Sequence, residues 1–131
     1  MKYLMDTHIL LWALLSPDKL SSKIIHVLEQ RNEIQVSNFN FWEISLKYKL
    51  GKLELNNLTP LDIFEATKNS HFKIINIDAL TTASLYKLPL REHKDPFDRM
   101  LIWYAIQHNI TLLSRDRLFK LYHNEGLKVI K

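Results

Sequence analysis

Short apolar runs alternate with amphipathic stretches along the whole chain, and polar turn signals separate them. Lys2-Tyr3-Leu4-Met5 is predicted as a short buried strand closed by Asp6-Thr7, with helical material from His8 to Leu15 and a turn at Ser16-Pro17-Asp18. Ser21 to Arg31 sets Ile24, Ile25 and Leu28 at helical spacing, while Glu33 to Ser37 alternates like a strand. Asn38 to Leu50 reads as a helix, stopped by Gly51 and carrying Lys47 and Lys49 in its last turn. Thr59-Pro60 opens another helix to about Asn69, Phe72 to Ile77 is a β-branched strand, and Asp78 caps a helix across Ala79 to Lys87. Asp95-Pro96 opens a strongly apolar helix to His108. Thr111 to Ser114 then gives a strand, Asp116 to Leu121 a helical turn, and Lys128 to Ile130 a terminal strand.

This alternation, with short strands apolar enough for burial on both faces, predicts an α/β fold. Its sheet is mostly parallel, with helices on both sides. Ligands of such sheets bind beyond the carboxyl ends of the strands. A length of 131 residues leaves little room for a second unit, so one domain over residues 1–131 is expected.

Composition changes that picture mainly by exclusion. The chain has no cysteine, which rules out disulfides, thiolate metal sites and cysteine nucleophiles, and suits a reducing cytoplasm. Carboxylates and histidines are left as metal ligands. The apolar run Ile9 to Leu15 follows Lys2, but Asp6 and His8 break the approach to it and Ser16-Pro17-Asp18 ends it. It lacks the shape of a secretory signal and the length of a membrane span, so a soluble, unprocessed chain is expected. The net charge of +4, from 18 basic and 14 acidic residues, is compatible with a polyanionic partner and equally with an ordinary soluble surface.

Four acids fall where a strand ends or the next helix begins: Asp6, Glu43, Asp98 and Asp116. Each has a plain explanation as a helix cap. Asn40…Glu43 and Asp95…Asp98 have capping-box spacing, and Asp6 and Asp116 can cap directly. Thr59…Asp62 and Asp78 carry the same signature with nothing else to suggest chemistry, so capping alone does not select a site. Convergence does. In a parallel sheet these positions share one edge, where crowded carboxylates would repel by several kcal/mol unless neutralised. A divalent cation resolves the conflict, and oxygen ligands without thiolates favour Mg²⁺ or Mn²⁺.

Four segments carry a family resemblance: MKYLMDTHILLWAL, VSNFNFWEISLKYKLGKLEL, REHKDPFDRMLIWYA and TLLSRDRLF. Together, in this order and spacing over nearly the whole chain, they resemble the PIN-domain nucleases of the VapC-like group. The resemblance implies a three-layer α/β/α sandwich. Asp6 of D-T-H, Glu43 of W-E-I, Asp98 of D-P-F-D-R and Asp116 of S-R-D would be its four metal-holding, catalytic acids. It further implies cleavage of single-stranded or loop RNA by a metal-activated water, leaving a 5′-phosphate and a 3′-hydroxyl. A toxin's role, a homodimer and a VapB-like antitoxin partner come with the same resemblance. One departure is Phe39-Asn40-Phe41, where many relatives have a small hydroxyl residue.

Thr7 and Ser114 stand beside these acids and could orient a carboxylate, a water or the substrate, or simply cap a turn. Arg99, Arg115 and Arg117 could bind phosphates, with Lys47, Lys49 and Lys52 extending a basic track. Asp95 is expected to cap its helix with Pro96 in the first position. Phe41, Trp42, Trp103 and Tyr104 are expected in the core or an interface, and the helix of Trp103 and Tyr104 is apolar nearly all round. The six histidines show no paired spacing, and His8 reads as local packing. An aspartate-based phosphatase would want a second Asp where His8 stands, and a phospho-receiver an acidic pair that is missing. A PIN fold used only for binding a partner is the remaining alternative.

Overall fold

The computed structural model describes residues 1–131, the side chain of Leu118 excepted. Its centre is a five-stranded, all-parallel sheet in the order β3-β2-β1-β4-β5. The strands are β1 (Lys2–Met5), β2 (Glu33–Ser37), β3 (Lys73–Ile75), β4 (Thr111–Leu113) and β5 (Val129–Ile130). Between them run α1 (Thr7–Leu15), α2 (Ser22–Glu29), α3 (Asn38–Lys49), α4 (Pro60–Lys68), α5 (Ala79–Ser84) and α6 (Pro96–His108).

The layering follows from strand periodicity. Along β1, Tyr3 and Met5 enter one apolar cluster with Ile9, Leu10, Ile24 and Ile63. Leu4 points the other way, into a cluster with Met100, Leu101, Ile102 and Phe119. On β4 the same alternation sends Leu113 to the first cluster and Leu112 to the second. A helix layer therefore covers each face, which is why these strands are apolar throughout.

The chain winds outward from β1 through β2 to β3, then returns to place β4 on the other side of β1. The gap between the carboxyl ends of β1 and β4 is a topological switch point, where open α/β sheets bind ligands. Asp78 follows β3 on the far edge and caps α5, its Oδ1 accepting from the Thr81 N–H at 2.8 Å.

Element boundaries differ from expectation where side chains intervene. The helix expected to reach Arg31 stops at Glu29, because the Asn32 amide donates to the Val27 carbonyl at 2.9 Å. The stretch 79–87 tightens from α5 into a 3-10 turn over Leu85–Lys87, and the turn after Asp116 extends as a 3-10 segment over Arg117–Glu125. α6 matches its expected ends, closed by Asn109 in the left-handed region (φ 53°) with its N–H on the Ala105 and Ile106 carbonyls. No helix among the described residues is long and apolar enough to cross a membrane.

Candidate functional site

The frame of α3 corrects one expectation. Ser37, not Asn40, caps this helix, and Asn40 is its capping-box partner three residues on. Glu43 thereby moves to the second turn, away from any capping duty. The Asn40 amide reaches inward instead, donating to the Met5 carbonyl and to the Thr7 hydroxyl, each at 3.2 Å. Thr7 Oγ1 in turn donates to Glu43 Oε1, and Lys47 Nζ binds Glu43 Oε2 from one turn later. A buried chain of hydrogen bonds thus runs from the end of β2 to Glu43, which is 4% exposed.

Asp6 ends β1 and does cap α1, its Oδ1 accepting from the Ile9 N–H at 2.9 Å. Its backbone N–H donates to the Leu113 carbonyl at 3.0 Å, which ties it to β4. Burial pushes its carboxyl up to about 6, against the lowering pull of the Ser114 hydroxyl and the Ile9 N–H. Ser114 is fully buried, and its Oγ also accepts from the Asp116 N–H at 3.0 Å. Its hydroxyl therefore acts on the two acids that flank it.

At the start of α6, Asp95 does the capping: its Oδ1 accepts from the Asp98 N–H at 2.9 Å. That leaves the Asp98 carboxyl available, and it is pushed up to about 8. Desolvation contributes most, followed by the charges of Asp95, Glu43, Asp6 and Asp116. His93 Nε2 lies 2.9 Å from Asp98 Oδ2 and 3.7 Å from Asp116 Oδ2. Donor atoms of these three side chains all fall within 4.8 Å of one another.

Asp6, Glu43, Asp98 and Asp116 line one cavity of about 520 Å³. Thr7, His8 and Trp12 share its lining with the cations Lys47, Arg115 and Arg117. The guanidinium of Arg115 lies over the Trp12 ring, 4.7 Å from its centroid. Arg99 does not join the cavity. Its guanidinium donates to the carbonyls of Leu88 (3.0 Å) and Pro89 (3.1 Å) and to the Tyr122 hydroxyl (3.2 Å), so it straps a loop instead of facing a phosphate.

The aromatics divide. Trp103 is 8% exposed with its indole N–H on Ser84 Oγ, and Phe41 packs edge-on against Phe64. Trp42 lies outside the core: it leans on Phe97 yet stays 55% exposed. Sequence reasoning passed over His93, Asn40 and Trp12 as site residues. Trp12, one helical turn after His8 and two after Asp6, carried a readable signal. His93 sits in the charged run Arg91-Glu92-His93-Lys94, which reads as solvated surface.

The donor set fits a divalent cation. Desolvation pushes Asp6 and Asp98 toward protonation, and the neighbouring carboxylates add strongly to this at Asp98, which marks a cluster short of positive charge. Its ligands are oxygens with one imidazole nearby, the chemistry of Mg²⁺ and Mn²⁺. The N-terminal ends of α1 and α6 open on the cluster through Asp6, Asp95 and Asp98, so their dipoles add to the stabilisation of its negative charge.

Known proteins share this architecture. The family model for the PIN domain matches residues 3–124. Ribonuclease VapC22 of Mycobacterium tuberculosis is 23% identical over 121 residues, covering 92% of each chain. Among solved structures, VapBC2 from Rickettsia felis bound to a DNA fragment from its promoter superposes with a TM-score of 0.68 at 22% identity, over 99% of this chain and 98% of that one. FitAcB from Neisseria gonorrhoeae gives a TM-score of 0.68 at 18% identity, over 98% and 96%. At these identities the structural likeness speaks for the fold.

Proposed function

Since this chain belongs to the PIN-domain family, we propose that it is a metal-dependent endoribonuclease acting as the toxin of a toxin–antitoxin pair in the cytoplasm. The observation that carries the reading is the meeting of Asp6, Glu43, Asp98 and Asp116 in one cavity, with Asp6 and Asp98 pushed up to about 6 and about 8. The relative named a ribonuclease and the neighbours described as VapBC complexes support the RNA substrate and a VapB-like antitoxin. Trp42, Leu46 and Leu50 recur every fourth position along and just beyond α3 and stay exposed, which supports a protein partner, antitoxin or second copy, on that face.

The four acids would hold Mg²⁺ or Mn²⁺. Such an ion, when bound, supplies a Lewis acid that lowers the pKa of a water and stabilises charge at phosphorus. The chain's own contribution is to hold the acids still. Thr7 and Lys47 fix both oxygens of Glu43, and Ile9 N–H and Ser114 fix Asp6. Arg115 and Arg117, exposed at the cavity, would take the phosphates that flank the scissile bond.

The test is incubation of the purified protein with structured RNA in Mg²⁺ or Mn²⁺, then with EDTA, alongside Asp98→Asn. Cleavage that needs the ion and disappears in the variant is expected. Metal-independent cleavage, or full activity in Asp98→Asn, overturns the mechanism.

A further inference from the structure

His93 is the one histidine of six that the fold buries; the other five are exposed. Its ring is 4% exposed and stacks on Phe119 at 5.2 Å between centroids, with Tyr122 beside it. Nε2 faces Asp98 Oδ2 and Asp116 Oδ2, whereas Nδ1 is buried with no partner. A phenyl ring would pack on Phe119 as well and leave no nitrogen orphaned. Packing therefore does not account for the imidazole, and Nε2 does.

The loop that carries His93 is strapped from outside the acid cluster. The Tyr122 hydroxyl donates to the His93 carbonyl at 3.2 Å and accepts from Arg99 at 3.2 Å. Arg99 also binds the Leu88 and Pro89 carbonyls, so α6, the loop and the 3-10 segment close around one ring. Two tautomers are available to that ring. If Nε2 offered a lone pair to a cation, Nδ1 would carry a buried N–H with nothing to accept it, and metal-ligating histidines normally donate that proton. If Nε2 carries the proton, it donates to Asp98 and only a lone pair is left unpaired.

We propose that His93 is a positioning residue for the metal-holding acids: its Nε2–H fixes the Asp98 carboxylate in the rotation that lines the cavity and steadies Asp116 beside it. Arg99 and Tyr122 then act on metal affinity through His93 without touching the ion. The inference rests on the metal-dependent reading above and adds an outer layer to it.

Calorimetric titration of the full chain with Mn²⁺, together with thermal unfolding in EDTA, tests it. Wild type should bind, and H93F should bind about 10- to 100-fold more weakly, the usual cost of losing an outer partner. H93F should still unfold cooperatively in EDTA, since the ring contact on Phe119 stays, with a midpoint lowered by no more than the lost bond to Asp98 accounts for. H93Q keeps an N–H donor near the same place and should stay within about threefold of wild-type affinity. Unchanged binding in H93F overturns the proposal alone. So does H93Q losing as much as H93F, and a nitrogen coupling in the electron spin echo of wild-type Mn²⁺ protein would then assign direct ligation. If H93F does not fold, Y122F carries the same test, with weaker binding expected and wild-type binding overturning it. No Mn²⁺ binding by wild type overturns the metal reading itself, and this inference with it.

Discussion

The acid cluster has two flanks built by different means. On one, Glu43 is wired to the main chain: Ser37 caps α3, Asn40 turns inward, Thr7 passes the contact on, and Lys47 closes the far oxygen. On the other, Asp98 and Asp116 lean on His93, a side chain delivered by a loop and held by Arg99 and Tyr122. The first flank joins two helix starts, those of α1 and α3, through bonds that span 33 to 36 residues of sequence. In the second, His93 reaches Asp98 across only five residues of sequence, while Phe119 and Tyr122, which hold its ring, come from the later 3-10 segment. The difference teaches that an acid can be positioned by a relay of hydrogen bonds or by one side chain that ring packing holds in place, and that the two respond to different insults.

The largest expected effect comes from the packed flank. Asp98→Asn should lower metal-dependent RNA cleavage by at least about 100-fold, more than loss of an outer partner costs. The same substitution should raise the unfolding midpoint in EDTA at pH 8, because it removes a carboxyl crowded by four others. Activity lost without stability gained would break the account of why this acid is pushed up.

Next comes the wired flank. Asn40→Ala strands the Ser37 N–H and frees Thr7, so it should cost about 1–3 kcal/mol in urea unfolding. Cleavage should fall about tenfold alongside. A variant that stays stable would show that the chain of hydrogen bonds is incidental.

A pH series sharpens the comparison, since one raised carboxyl, Asp98, lies on the packed flank and another, Asp6, lies outside both. Asp6 at about 6 and Asp98 at about 8 both lie above the ordinary 3.8, so the folded chain holds more protons than the unfolded one across that window. Stability without metal should therefore fall as pH rises from about 4 to about 8, by an amount on the order of a few kcal/mol. Mn²⁺ affinity should rise over the same range, because the ion displaces those protons. Asp98→Asn should flatten the curve between about pH 6 and 8 and roughly halve its slope below that, where Asp6 alone remains. A wild-type midpoint in EDTA that climbs between pH 6 and 8 contradicts the assignment.

The smallest effect is expected at Arg115, outside both flanks. Arg115→Ala should weaken RNA binding several-fold and reduce its salt dependence by about one phosphate contact. Metal binding should not move. A change in Mn²⁺ affinity would place Arg115 inside the wiring.

Legibility in the sequence follows the same divide. Strands β1, β2 and β4 announce themselves because they are buried on both faces, and Asp95-Pro96 with Asn109 marks both ends of α6. Asp6 is readable as a strand end. Glu43 was readable as an acid but misplaced by a turn, because Asn40 looks like a cap until Ser37 takes that position. His93 was not readable at all. Its burial is set by Phe119 and Tyr122, residues whose nearness depends on the closed 3-10 segment, and its own neighbours in sequence are charged. Arg99 misled for the same reason: its partners are loop carbonyls that no local pattern marks.

The pairing of Tyr3 with Thr111, and of Met5 with Leu113, has a further consequence for a chain made from its amino end. β1 is made well before its β4 neighbour, since α1 to α6 all lie between the two in the chain. Closing so long a loop is a slow, non-local step. Asp6 and Glu43 can be in place early, but Asp98 and Asp116 reach them only when that pairing forms. A chain made only as far as α5 therefore carries two of the four acids, and the cavity closes only once β4 has paired with β1.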